Sequence, residues 1–199
     1  MNRRLLFATT NPGKLRELQA LGEGLTVLSL ADFPGLPEVD EDQETLEGNA
    51  RKKALTYARL TGVTSLADDS GLCVDALGGR PGVQSARYAP GPDRARIDKL
   101  LEELREVSDA HRGASFQCAL CLCAPDETLV LEVGRCEGQV LRAPRGSGGF
   151  GYDPILFVPS LGKGMAELTL EEKARVSHRG QAFRRIQPTL AAYLAGTWP

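Results

Sequence analysis

The chain has 199 residues, of which 42% are hydrophobic and 25% are charged, values typical of a globular rather than a disordered protein. Its formal net charge of −2, from 24 basic and 26 acidic residues, argues against non-specific binding to nucleic acid. The length suits a single domain over residues 1–199, and no window is as long as a transmembrane helix, so we expect a cytoplasmic protein that does not bind membranes.

The first predicted strand, residues 4–10, runs directly into a helix. Asn11 is a strong N-cap, Pro12 suits the first helical position, and leucines then recur at helical spacing. The start of such a helix offers N–H groups and the positive end of its dipole to an anion. Lys14 is unfavourable in that first turn unless something negative lies nearby, so residues 9–14 are a candidate phosphate site. A plain helix cap is the alternative interpretation.

The most informative stretch is a short strand predicted over residues 65–67 that ends in Asp68, Asp69, Ser70 and Gly71. Consecutive strand residues point to opposite faces, so one carboxylate can face a cavity while the other braces the loop, and Gly71 permits a turn. Two acids at the end of a strand commonly hold Mg²⁺, which prefers oxygen ligands. The alternative is a turn that only caps the strand, because all four residue types favour turns.

The other predicted elements follow from periodicity and turn signals. They are a strand over 26–30, a helix over 45–61 that follows the acidic run 38–44, a helix over 94–107, a hairpin of strands 116–124 and 129–136, a strand over 155–158, a helix over 170–176 and a terminal helix to about residue 194. Cys118 and Cys121 match C-x-x-C within the hairpin. No second cysteine pair or clustered histidine completes a metal site, which favours reduced cysteines in the core.

A glycine-rich loop follows the hairpin. Gly146, Gly148 and Gly151 spell G-x-G-x-x-G, but the chain then enters a strand rather than a helix, so a dinucleotide-binding fingerprint is rejected. The loop presents Phe150 and Tyr152 and suits a flat ligand, with two core aromatics in a structural turn as the alternative. Carboxylates, basic side chains and aromatics together suggest a nucleotide, and the lack of a nucleophile beside a base favours metal-activated water.

Five blocks of sequence, in order and over nearly the whole chain, closely resemble the inosine/xanthosine triphosphate pyrophosphatase family, the Ham1-like or RdgB-like enzymes. The blocks are residues 9–14, 67–72, 79–88, 148–154 and 177–180. The resemblance implies an α/β fold with a long, curved, mixed sheet flanked by helices, in two lobes with a central cleft. It also implies a homodimer that uses Mg²⁺ to hydrolyse ITP, dITP, XTP or dXTP to the monophosphate and pyrophosphate.

The same resemblance implies roles for individual residues. Asp69 would be the catalytic base and would bind the metal together with Asp40 and Glu41 of the acidic run. The residues that would bind the substrate are Thr9, Thr10, Asn11, Pro12, Gly13, Lys14, Lys53, Ser70, Phe150, Gly151, Tyr152, Asp153, Lys173, His178 and Arg179. Hydrogen bonds to a 6-oxo group would discriminate against 6-amino purines.

One departure from the family pattern lies at the start of the helix over 45–61. The family usually has Thr-Phe-x-Glu-Asn-Ala, whereas here Leu46 replaces the aromatic residue and Gly48 stands where Glu is expected. If that acid serves the metal, activity is lowered, with Glu47 as a possible substitute. The departure supports one alternative, a non-catalytic nucleotide-binding or sensor protein. Another alternative is a related enzyme with a different preferred nucleotide.

Overall fold

A computed structural model of the chain describes residues 4–22 and 25–198, and seven strands and five α-helices form within them. The strands are β1 (Leu5–Phe7), β2 (Val27–Ser29), β3 (Ser65–Val74), β4 (Gly113–Cys123), β5 (Leu129–Val140), β6 (Leu156–Val158) and β7 (Lys163–Gly164). The helices are α1 (Pro12–Leu21), α2 (Leu46–Thr61), α3 (Asp93–Glu103), α4 (Leu170–Val176) and α5 (His178–Ala195). None of these helices has the length and apolarity needed to cross a membrane.

The strands form one mixed sheet in the order β2-β1-β3-β4-β5-β6-β7, which confirms the predicted α/β class. Strand β1 is parallel to both neighbours, with Leu6 opposite Leu28 of β2 and opposite Ser65 of β3. All three residues of β1 are apolar and buried, as expected for a strand with parallel neighbours on both sides. At the other edge, β5, β6 and β7 pair antiparallel.

The helix starts lie where the capping residues predict them. Asn11 Oδ1 accepts from the N–H groups of Gly13 and Lys14 at 2.8 and 3.2 Å, so α1 begins at Pro12. Helix α2 begins after Thr45, whose side chain accepts from the Gly48 N–H at 3.0 Å. A reciprocal capping box, from Thr169 to Glu172, opens α4 as predicted.

The prediction that the strand ends at the acid pair is wrong. Strand β3 continues to Val74, so Asp68 and Asp69 lie in its interior and Gly71 makes no turn. Gly71 instead allows a close approach, because a Cβ atom there would lie 2.2 Å from the carbonyl oxygen of Gly82. The interpretation as a turn that only caps a strand is therefore excluded.

Smaller differences concern the ends of elements. Helix α3 stops at Glu103 rather than at residue 107, and β5 extends four residues beyond the predicted hairpin to Val140. A 3₁₀ turn occupies residues 153–155, where a strand was expected to begin, and sequence periodicity missed the two-residue strand β7. None of the five cysteines forms a disulfide, and the four within β4 and β5 are buried, as predicted for core residues.

The described residues form two compact units, each with its own apolar core. The first unit contains residues up to 69, 118–134 and those from 179 onward, and its core includes Phe7, Leu18, Leu120 and Ile186. The second unit contains 70–117 and 135–178, with its core formed by residues of α3, β3, β5 and the segment 152–165.

Candidate active site

In the first unit, Asp68 is the centre of a buried cluster of charges. Its Oδ2 accepts from Nη2 and Nε of Arg179 at 2.9 and 3.1 Å and lies 3.3 Å from Nζ of Lys14. The remaining arm of the Arg179 guanidinium donates to the carboxylate of Glu17. Arg179 is only 1% exposed, so α1, β3 and α5 are joined through one buried guanidinium. Such a planar fork suits two carboxylates at once in a way that lysine cannot.

The electrostatics hold Asp68 in its charged form. Burial alone would raise the pKa of this carboxyl, but the positive charges of Lys14, Arg179 and Lys53 outweigh it and hold the pKa well below its usual range. Asp68 is thus the carboxylate that braces the structure, one of the two roles expected from its alternating position in the strand.

Asp69 has a different environment on the same strand. It is 4% exposed, and its Oδ2 accepts from Nδ2 of Asn49 in α2 at 2.8 Å. Burial raises the pKa of Asp69 above its usual value, Lys53 and Lys14 oppose this shift, and the nearby charge of Glu41 adds to it. Asn49 is in turn fixed, because its Oδ1 accepts from the Gln43 N–H at 3.0 Å.

Lys53 of α2 links the acidic run to β3. Its Nζ donates to Glu41 Oε1 at 2.7 Å and to the main-chain carbonyl oxygen of Asp68 at 2.5 Å. Glu41 is thereby the acid of the run that faces the two aspartates. Asp40 is exposed, and the described contact that it makes is through its main-chain carbonyl oxygen, which accepts from Lys52 Nζ at 3.0 Å. Asp42 also pairs with Lys52.

The segment 9–14 forms a capped entry to α1. Thr9 Oγ1 accepts from the Asn11 N–H at 3.2 Å, and the Asn11 side chain accepts the next two main-chain N–H groups of the helix. The segment therefore forms the helix cap that was the alternative interpretation. The N–H groups of Asn11, Gly13 and Lys14 already have acceptors within the segment. Thr10 and Pro12 are exposed, and Gly13 is buried beside them.

In the second unit, the glycine loop places Phe150 beside a buried ion pair. Asp153 Oδ2 accepts from Lys173 Nζ at 2.6 Å and from the Phe150 N–H at 2.8 Å, and Lys173 Nζ lies 4.9 Å from the centre of the Phe150 ring. Tyr152 is buried in the core, where its hydroxyl donates to the Ser85 carbonyl oxygen at 3.0 Å. The two aromatics therefore differ, since Phe150 is half-buried in the loop and Tyr152 is a core residue.

His178 and Ser70 complete the predicted residues of the second unit. His178 is the first residue of α5, and its ring stacks on Phe116 of β4 with ring centres 4.8 Å apart and an interplanar angle of 21°. Ser177 is the residue between α4 and α5. Ser70 is half-buried in β3 directly after the acid pair.

Within each unit, the structure brings together most of the predicted charged residues. In the first unit, Lys14, Lys53 and Arg179 lie around Asp68, and Lys53 also pairs with Glu41 and acts on Asp69. Phe150, Asp153 and Lys173 meet in the second. Asp40 and Thr10 lie at exposed positions.

Sequence reasoning missed the roles of Glu17, Asn49 and Asp93. Glu17 and Asn49 are polar residues at buried positions of amphipathic helices, a signal that could have identified them. Asp93, whose Oδ2 accepts from the Gly151 N–H at 2.6 Å, is the first residue of a helix. Acids are ordinary at that position because they suit the helix dipole, so no sequence signal distinguished it.

The donor set of the first unit fits a hard divalent cation. Asp69 and Glu41 offer carboxylate oxygens, and the negative charge of Glu41 helps to raise the pKa of Asp69. Mg²⁺ in nucleotide sites is usually held by one or two carboxylates, with substrate phosphates and waters as the other ligands. Across residues 4–22 and 25–198, no group of three or more His, Cys, Asp or Glu is arranged to hold a metal. Asp69 and Glu41 could therefore supply only part of the ligands of such an ion.

Comparisons with known proteins give the same relationship in sequence and in fold. The sequence model of the Ham1 family matches residues 5–189. A Geobacter sulfurreducens protein named dITP/XTP pyrophosphatase is 52% identical over 191 residues, covering 94% of this chain and 96% of that protein. A Shouchella clausii protein of the same name is 47% identical and covers 98% of both chains. The solved structure of a HAM1 protein from Coxiella burnetii has a TM-score of 0.85 at 40% identity, covering 95% of this chain and 98% of that one.

Proposed function

We propose that this chain, which belongs to the Ham1 family, is a nucleoside-triphosphate pyrophosphatase that removes non-canonical purine nucleotides from the nucleotide pool. Its substrates would be ITP, dITP, XTP or dXTP, hydrolysed at the α–β phosphoanhydride to the monophosphate and pyrophosphate. The observation that carries the proposal is that relatives named dITP/XTP pyrophosphatase match the chain almost from end to end. The charged residues around β3 supply side chains that suit this chemistry.

Asp69 is the residue we assign to proton transfer. Its carboxylate is buried beside Lys53, and burial raises its pKa, which brings a carboxyl closer to the range in which it accepts a proton at neutral pH. The Asn49 side chain donates to Oδ2 of the carboxylate and so orients it, and the carboxylate would take a proton from the attacking water. The water oxygen then forms the new bond to phosphorus as the phosphoanhydride bond breaks, and pyrophosphate leaves.

We further propose that the enzyme requires Mg²⁺, held by Asp69 and Glu41 together with the phosphates. Asp40 is exposed and is therefore less suited to bind the ion. The bound ion would neutralise the charge that develops at the α–β bridge. Lys14 and Lys53 are the cations assigned to the phosphates. They pair with Asp68 and Glu41, and the phosphates would share these ammonium groups. Thr9, Thr10, Asn11, Pro12 and Gly13 form the loop that we assign to the same role.

For the base, the proposal assigns recognition to the second unit. Phe150 offers a ring face, and the ammonium of Lys173 can donate to a 6-oxo group while Asp153 keeps it in place. A 6-amino purine would place an N–H donor opposite the Lys173 ammonium, which is also a donor, so its binding is disfavoured. Ser70 of β3 and His178 at the start of α5 belong to the same unit and would complete recognition of the base. Gly151 and Tyr152 would act indirectly, by fixing the main chain of the loop through bonds to Asp93 and Ser85. Arg179 would act by holding the charged carboxylate of Asp68 in place.

The proposal includes a homodimer in the cytoplasm, as the sequence resemblance implies. The mass of the purified protein in solution, measured by light scattering, tests the assembly, since one chain has a mass of 21.4 kDa. A mass of one chain at all concentrations would refute the dimer without affecting the proposed reaction.

Pyrophosphate release by the purified protein is the primary test. We expect rapid release from dITP and XTP with Mg²⁺, little release from dATP, dGTP and dCTP, and none when a chelator is added. Asp69→Asn is the matched inactive variant, because the amide keeps the shape of the side chain and the bond from Asn49 requires only an oxygen. Release from all five nucleotides alike would refute the specificity, and release in chelator would refute the metal requirement.

A second candidate function, a sensor that binds the nucleotide without turnover, is favoured by Gly48. A Cβ atom at this position would lie 2.8 Å from Cβ of Gln43, so the family's usual acid would not fit without movement of that segment. Binding of dITP without any release of pyrophosphate would support the sensor, and Gly48→Glu would then be the variant to test for restored turnover.

A further inference from the structure

The loop that carries Phe150 is held at two successive main-chain N–H groups. The Phe150 N–H donates to Asp153 Oδ2 at 2.8 Å, and the Gly151 N–H donates to Asp93 Oδ2 at 2.6 Å. Gly151 has a φ of +59°, a conformation that favours glycine. The peptide plane that joins Phe150 to Gly151 is thus fixed by a carboxylate from outside the loop.

Asp93 is itself fixed by its own helix. It is the first residue of α3, where the helix dipole favours a negative charge. Its Oδ1 pairs with the guanidinium of Arg96 one turn later, and Nη1 of Arg96 donates to the Gly91 carbonyl oxygen at 3.0 Å. Each oxygen of the carboxylate therefore has a partner, and the one facing the loop cannot rotate away without breaking the pair with Arg96.

On the other side of Gly151, the chain is anchored in the core. Tyr152 is buried, and its hydroxyl donates to the Ser85 carbonyl oxygen at 3.0 Å. Phe150 precedes Gly151, its N–H donates to Asp153, and its ring centre lies 4.9 Å from Lys173 Nζ. The direction of the Phe150 ring therefore depends on the peptide that Asp93 holds.

We propose that Asp93 is a positioning residue for recognition of the purine base, acting through the Gly151 N–H on the orientation of Phe150. The inference rests on the proposed function, and it adds a residue of α3 that lies outside all five sequence blocks. The side chain of Asp93 is 44% exposed, so its contribution to folding stability is small. We therefore expect its replacement to change substrate affinity rather than stability.

Steady-state kinetics on dITP test this role. We expect Asp93→Ala to raise KM about 3- to 10-fold, the effect of one hydrogen bond, with kcat within about twofold of the wild type. Asp93→Asn keeps an oxygen acceptor for the Gly151 N–H and should restore most of the KM. The matched control is Asp98→Ala in the same helix, which removes only an exposed pair with Arg94 and should leave both constants unchanged.

A double mutant separates positioning from general damage. If Asp93 acts through Phe150, adding Asp93→Ala to Phe150→Ala should change KM by less than about twofold. Multiplicative effects of the two substitutions would overturn the proposal, as would an unchanged KM in Asp93→Ala or a failure of Asp93→Asn to restore it.

Amide hydrogen exchange tests the anchoring without reference to activity. In the protein without nucleotide, the Gly151 amide should exchange faster in Asp93→Ala than in the wild type, and slowly again in Asp93→Asn. Unchanged exchange in Asp93→Ala would overturn the inference even if the enzyme is active. If the wild-type protein releases pyrophosphate from no nucleotide, the proposed function is refuted instead. The exchange experiment would still decide whether Asp93 anchors the Gly151 N–H.

Discussion

Removing the guanidinium of Arg179 should unfold the first unit far more readily, because two buried carboxylates would lose their shared partner. Arg179 is 1% exposed, and Asp68 and Glu17, which it joins, are also buried. Breaking a buried pair by removing one partner costs about 3–5 kcal/mol. Lys14 remains 3.3 Å from Asp68 and compensates part of this loss, which favours the lower end for Arg179→Ala. For a chain of this size the cost corresponds to a Tm lower by about 6–20 °C.

Thermal unfolding followed by circular dichroism without metal or nucleotide measures this loss. The matched control is Arg175→Ala, since Arg175 and its partner Glu171 have side chains 73% and 75% exposed and should contribute less than about 1 kcal/mol. Arg179→Lys should fall between the two, because one ammonium cannot fork to both carboxylates. A Tm of Arg179→Ala within about 2 °C of the control would refute the structural role and leave only a role in substrate binding.

The same experiment has a defined pH dependence. The folded structure lowers the pKa of Asp68, so the stability from its ion pairs is complete above the unfolded value of about 4 and is lost as the pH falls through the folded value. The difference in Tm between the wild type and Arg179→Ala should therefore be constant from about pH 7 to 5 and shrink below about pH 4. A difference that grows on acidification would contradict this assignment of charge.

Other changes should have separable effects. Asp69→Asn should lower pyrophosphate release at least about 100-fold with little change in Tm, because it removes the proposed base, and a smaller loss would exclude that role. Asn49→Ala should lower kcat and also cost about 1–3 kcal/mol in a urea titration, because it takes the donor from a buried carboxylate. Gly71→Ala should lower the urea midpoint strongly, because its Cβ would lie 2.2 Å from a main-chain oxygen. At pH 8, iodoacetamide should modify the half-buried Cys73 before Cys121, since burial raises the pKa of Cys121 to about 12; equal rates by mass spectrometry would contradict its burial.

The sequence predicted the elements whose local chemistry is strong. Capping residues Asn11 and Thr169 marked the starts of two helices, because a side chain that satisfies the first N–H groups acts within one turn. The end of β3 was misjudged because Asp, Ser and Gly favour turns locally, whereas pairing with neighbouring strands carries the chain straight on to Val74. Strand β7, two residues long, is too short to have any periodicity.

For the candidate site, the sequence predicted which residues take part but not the contacts that they make within the protein. Tyr152 and Arg179 were expected to bind substrate, and in the structure the Tyr152 hydroxyl donates to a main-chain oxygen in the core while the Arg179 guanidinium lies between two carboxylates. Their partners, Ser85 and Glu17, lie 67 and 162 residues away in the chain. Contacts at such separation depend on the packing of whole elements and leave no local pattern.

Two neighbouring aspartates on β3 illustrate how one strand can divide structural and chemical tasks. Alternation of side chains brings Asp68 to Arg179 and Lys14, whose charges lower its pKa, and brings Asp69 to the neutral amide of Asn49, where burial raises its pKa. The Asp68 carboxylate forms the ion pairs that hold α1 and α5 to the sheet. At Asp69, burial opposes the charged form, and a bound cation would lower its pKa again and keep it ionised at neutral pH. Because the charge of Asp68 is already paired with Arg179 and Lys14, we propose that a cation binds at Asp69, although Asp68 is the stronger acid.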